Sequence, residues 1–79
     1  MKKINEQLWR QLFSEKLKEI MQERNLTQKD MAMMAGVTQS QISRILSCKS
    51  TASIKVINNL SYSLRIKIDS LVLFKELFK

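Results

Sequence analysis

Gln39, Ser40, Ser43 and Arg44 are the side chains whose types and spacing best suit a chemical task. They lie in the run QSQISRIL, and with Ile42 and Ile45 turned inward they occupy the opposite edge of a helix. Glutamine can pair with adenine N6 and N7, arginine with guanine O6 and N7, and serine with either base, so this set fits the edge of a base pair in a major groove. No acidic side chain stands among them. By residue type alone an ordinary solvated helix face would look the same. Catalysis is a poor alternative. The chain has one cysteine and no histidine, which leaves Cys48 without an activating imidazole and the sequence without a zinc-type ligand set. No enzyme activity, metal or cofactor is expected. A lone cysteine also forms no internal disulfide, in keeping with a reducing compartment.

The elements that must position these residues run from Thr27 to Leu46, TQKDMAMMAGVTQSQISRIL. Thr27 and Thr38 are placed to cap helices, and each is followed three residues later by a side chain able to reach back, Asp30 and Gln41. Gly36, the only glycine in the chain, falls where the first helix must stop in a left-handed turn. Met31, Ala32 and Ala35 before it, and Ile42 and Ile45 after it, follow helical spacing. Two short helices bent across one glycine, the second polar outward, form a helix-turn-helix pattern.

The run from Leu17 to about Leu71 resembles the Cro and repressor type of helix-turn-helix domain, the XRE family. The resemblance is carried by LKEIMQERNLTQKDMAMMAGVTQSQISRIL and SIKVINNLSYSLRIKIDSL, most specifically by Leu26-Thr27-Gln28, by Ala32 with Gly36-Val37, and by the ISRI closing the second motif helix. It implies a five-helix all-α domain that binds double-stranded DNA. It also implies that Gln28 touches a phosphate, that Gln39, Ser40 and Arg44 read bases, and that Ser43 and Lys49 lie near the groove edge or backbone. Ser43 is grouped with the base-reading set. The family often has glycine where this chain has Asn25, Cys48 and Arg65. Asparagine tolerates positive φ, whereas cysteine and arginine tolerate it less well, so departures from the usual turns are expected there. Met33, Met34 and Leu46 replace commonly charged, exposed positions and are expected to be covered by something apolar.

Charge supports a polyanionic partner. In 79 residues, 14 basic and 7 acidic side chains give a formal charge of +7. No carboxylate side chain occurs between Asp30 and Asp69, where Arg44, Lys49, Lys55, Arg65 and Lys67 fall. Further phosphate-contacting candidates are Lys29 and Lys55, near the starts of their helices, and Thr38 at the start of the reading helix. In the loop SCKSTAS, Lys49, Ser50 and Thr51 supply a charge and two hydroxyls suited to the DNA backbone.

Length and composition allow one small domain: proline is absent, glycine occurs once, and 44% of residues are apolar. Residues 1–13 read as an N-terminal helical extension, 14–71 as the helix-turn-helix domain, and 72–79 as the end of a C-terminal helix. In the extension, Leu8, Trp9, Leu12 and Phe13 recur at helical spacing. They either run on into Leu17 and Ile20 or form a separate turn broken near Ser14, and Trp9 either folds onto the domain's own core or makes a dimer contact, with Met33 and Met34 as partners in both cases. In the first domain helix, Glu15, Lys18, Glu19, Glu23 and Arg24 are expected in water. Ser53 or Thr51 caps a fourth helix with the apolar face Ile54, Ile57, Leu60, Ser61 and Leu64, leaving Val56 and Tyr62 off that face. Asp69 reads as the cap of a last helix, whose Leu73, Phe74, Leu77 and Phe78 exceed what so small a domain can bury and suit a homodimer contact.

These residues point to a sequence-specific regulator, a repressor acting as a homodimer on a palindromic operator. The alternative is an antitoxin-like module that uses the same fold to hold a protein partner such as a toxin. A membrane-surface role ranks below both. No segment is apolar enough to span a bilayer or serve as a secretory signal, so a cytoplasmic location is expected.

Overall fold

The computed structural model describes residues 6–67 together with 70 and 71. Four helices follow one another: α1 (Glu6–Arg24), α2 (Gln28–Ala35), α3 (Gln39–Leu46) and α4 (Ile54–Leu64). The described residues thus hold four helices where five were expected. Of the fifth, only Ser70 and Leu71 are described; both are helical, and Leu71 is fully buried. Asp69, Leu73, Phe74, Leu77 and Phe78 lie outside the described residues. No helix among the described residues is long and apolar enough to cross a membrane.

The helices share one core. Helix α2 packs on α3 and α4, and α1 packs on α3. Phe13 and Leu17 from α1, Met31 from α2, Ile42 from α3, and Leu60 and Leu64 from α4 are almost wholly removed from water. Full burial of one such side chain is worth roughly 1.5–3 kcal/mol.

Helix α1 passes Ser14 without a break, so the first turns of the extension continue into the domain helix. Trp9 stacks on Phe13 with ring centroids 4.8 Å apart and borders Ala52, Ile54 and Ile57. Within the subunit Met33 is 74% exposed and is not a partner of Trp9. Met34 is half-buried and Leu46 is buried against the core, so the expected apolar cover holds for them and fails for Met33. The face of α4 also differs from expectation. Val56 is buried with Ile57, Leu60 and Leu64, whereas Ile54 is 71% exposed and Ser61 is only half-buried. Ser53, not Thr51, caps this helix, its hydroxyl accepting from the Val56 N–H. With Ser53 as the cap, Ile54 opens the first turn at the rim, and Val56 reaches inward.

All four helices stop in the same way. Asn25, Gly36, Cys48 and Arg65 have φ of 55°, 71°, 63° and 57°. The N–H of each following residue reaches back into the last turn: Leu26 to Met21 O, Val37 to Ala32 O, Lys49 to Arg44 O and Ile66 to Ser61 O, at 2.9–3.1 Å. This is the left-handed helix stop that satisfies otherwise orphaned carbonyls. The expected departures at Cys48 and Arg65 do not occur, because the returning hydrogen bond holds the conformation whatever the side chain.

Side chains from neighbouring helices take further terminal carbonyls. Ser14, 1% exposed, donates to Leu46 O at 2.5 Å. Asn59 Nδ2 donates to Ala35 O at 3.0 Å, and Arg24 Nη1 to Leu64 O at 2.7 Å. Arg24 is exposed, as expected, and from the surface its guanidinium joins α1 to the end of α4. Among the described residues, no buried side-chain nitrogen or oxygen lacks a partner.

A Cβ at Gly36 would lie 3.1 Å from Asn59 Nδ2 and would be strained at its φ of +71°, so Gly36→Ala should lower stability by roughly 1–2 kcal/mol. Arg65→Gly relieves the same conformational cost and should raise stability by about 0.5 kcal/mol. Urea unfolding followed by circular dichroism checks both signs.

Candidate nucleic-acid interface

Helix α3 is shaped at its start by reciprocal hydrogen bonds. The Gln41 N–H donates to Thr38 Oγ1 at 3.1 Å, and the Thr38 N–H donates to Gln41 Oε1 at 2.9 Å. The Thr38 hydroxyl also donates to Gln41 Oε1 at 3.2 Å. Thr38, a phosphate-contacting candidate, therefore uses its hydroxyl within the cap. Gln41 turns its oxygen toward the cap, leaving its amide nitrogen available as a donor. Spacing identified Gln41 as a capping residue only.

Burial then sets the rotation of α3. Ile42, Ile45 and Leu46 face the core; Gln39, Ser40, Gln41 and Arg44 are exposed, and Ser43 is half-buried. Three of the four base-reading candidates thus share the open edge, and Ser43 sits at its margin. Arg44 Nε donates to Ser50 Oγ at 3.1 Å, which steers the guanidinium toward the loop after α3. A cleft lined by Gln41, Arg44, Ser50, Thr51 and Ser53 runs between α3 and the start of α4. Ser50, Thr51 and Ser53 line the same cleft as Arg44, and Ser50 bonds it, a grouping that depends on the chain's return after Cys48.

Gln28 and Lys29 open α2, and both are exposed. A complete capping box precedes them: the Asp30 N–H donates to Thr27 Oγ1 at 3.1 Å and the Thr27 N–H to Asp30 Oδ2 at 2.9 Å. The Thr27 backbone N–H, then its hydroxyl, hold the Asp30 carboxyl below the ordinary aspartate range. That carboxylate occupies part of the helix's positive end, so an incoming phosphate would meet the first two amides and the Gln28 side chain rather than the whole terminus. Gln28 shares a shallow recess with Lys18, Met21, Leu46 and Ser47. Lys18 was read only as a solvated residue of the first domain helix; its position beside Gln28 depends on how α1 packs against α3.

Lys49 and Lys55 are exposed, the first directly after the left-handed Cys48 and the second in the opening turn of α4. From Met31 to Lys67 the chain carries no carboxylate side chain, so α3, the following loop and α4 contribute only positive charge. Trp9, the one dimer-contact candidate within the described residues, is half-buried at the opposite end of that loop, beside Ala52. Among the described residues, no group of acidic, cysteine or histidine side chains is arranged to hold a metal ion.

Neither a curated protein nor a solved structure matches the chain. A helix-turn-helix family model matches residues 17–71, more than half of the sequence, and spans α2, α3 and the turn at Gly36. On that match and this geometry, the chain belongs to the Cro/repressor-type (XRE) family of helix-turn-helix proteins, a family of DNA-binding regulators.

Proposed function

We propose that this protein is a sequence-specific repressor that occupies a two-fold operator as a homodimer in the cytoplasm. The observation that carries the reading is the open edge of α3, where Gln39, Ser40 and Arg44 are exposed on a carboxylate-free segment with Ser43 at its margin. Gln39 and Arg44 specify bases, Ser40 and Ser43 add adaptable hydroxyls, and Gln28, Lys29, Lys49 and Lys55 position the domain on phosphates. Thr38 contributes by holding the start of α3. The dimer contact is assigned to Trp9 with Leu73, Phe74, Leu77 and Phe78, and a two-fold operator would need the two reading helices about 34 Å apart, one turn of DNA.

A second reading rests on the exposed apolar side chains Met33, Ile54 and Tyr62, at 74%, 71% and 87% exposure. In that reading the fold holds a protein partner such as a toxin. Fluorescence anisotropy with random duplex DNA at low salt separates the two. A DNA reader retains salt-sensitive non-specific affinity, and a protein-only module shows none.

Arg44→Ala should cost about 1–3 kcal/mol on the preferred site and relax discrimination at one base position. Equal weakening on every sequence would remove Arg44 from the base-reading set. Lys49→Ala should weaken all sequences alike and lower the slope of log affinity against log salt by about one. An unchanged slope would take Lys49 away from the phosphates.

A further inference from the structure

The first turns of α1 precede the segment that matches the family, yet they grip the loop that follows α3. Arg10 Nε donates to Thr51 Oγ1 at 2.9 Å, and Arg10 Nη2 to Glu6 Oε1 at 2.9 Å. The Thr51 hydroxyl donates to the same Glu6 oxygen at 2.8 Å. Three side chains, 41 and 45 residues apart in the chain across the two links to Thr51, thus close a ring of hydrogen bonds. One turn further along, the Cys48 thiol lies 3.7 Å from the Arg10 carbonyl oxygen, and beyond it Ser14 holds the Leu46 carbonyl. Consecutive turns of α1 therefore hold the end of α3 at Leu46 and the loop at Cys48 and Thr51.

The loop in turn holds Arg44, through Ser50. The ring is solvent-exposed, and exposed ion pairs add little to global stability. The core and the helix stops already account for the fold without it. What the ring does hold is Thr51, the residue next to Ser50 in the loop after α3. The Thr51 hydroxyl and then the Arg10 guanidinium keep the Glu6 carboxyl below its ordinary range, and the acceptor at the centre of the ring is ionised at neutral pH.

We infer that Glu6 and Arg10 are positioning residues for DNA recognition: acting through Thr51, they hold the 47–53 loop so that Ser50 aims Arg44. This rests on the DNA-reading role of α3 proposed above. Glu6 gives the claim its sharpest form, because it is an anion. If charge alone mattered, its removal would strengthen binding to a polyanion; if it positions the loop, its removal weakens specific binding.

The test uses the full chain with two labelled duplexes, one enriched from a random pool by the wild-type protein and one of random sequence. Glu6→Ala should bind the enriched duplex about three- to tenfold more weakly while its affinity for random duplex stays level or rises and its thermal unfolding is little changed. Thr51→Val should weaken the enriched duplex likewise, and Thr51→Ser should restore it. Equal or tighter binding of the enriched duplex by Glu6→Ala overturns the positioning role, as does a parallel loss on both duplexes. Failure of the wild-type protein to enrich any duplex overturns the α3 reading itself, and this inference with it.

Discussion

Helix α3 is eight residues long, and an isolated helix of about two turns does not persist in water. Everything this protein presents on that helix depends on holding it from outside. The Thr38 and Gln41 box closes its first turn, and Ile42, Ile45 and Leu46 press its inner edge into the core. At the far end, the Lys49 N–H returns to Arg44 O, and Ser14 takes the Leu46 carbonyl. With the inner edge fixed, the outward direction of Gln39, Ser40 and Arg44 follows from helix geometry.

The same solution recurs at the other helix ends. A small helical domain has many terminal carbonyls for its size, and those near the core must find donors. Left-handed stops supply one set, and Ser14, Asn59 and Arg24 supply a second set that crosses between helices. These crossings also fix where the helices sit, since each joins a side chain to a carbonyl on another element. Arg24 joins α1 to the end of α4, while Asn59 closes α2 beside Gly36.

What was legible in the sequence was local. The caps at Thr27 and Thr38, the stop at Gly36 and the inward isoleucines of α3 each depend on residues within one or two turns, and the structure has all of them. The path from Leu17 to Leu71 was also legible through the resemblance. What misled was any choice settled by packing. Ile54 and Val56 are both apolar and two residues apart, and periodicity favours the first, whereas packing buries the second, beside Val37 and Ile45. Cys48 and Arg65 lack the usual residue for a left-handed turn, but the backbone bond across the turn outweighs that local preference. The ring of Glu6, Arg10 and Thr51 had no signature at all, because its members meet only after α1 and the loop pack together.

In the proposed function, the open edge of α3 reads base pairs from both halves of a symmetric assembly. Selection of bound sites from a random DNA pool by the full chain tests it most directly. The expected result is enrichment of a two-fold sequence with half-site centres one helical turn apart, roughly 34 Å. A pool that stays random after repeated selection, while the folded protein is retained, would contradict it.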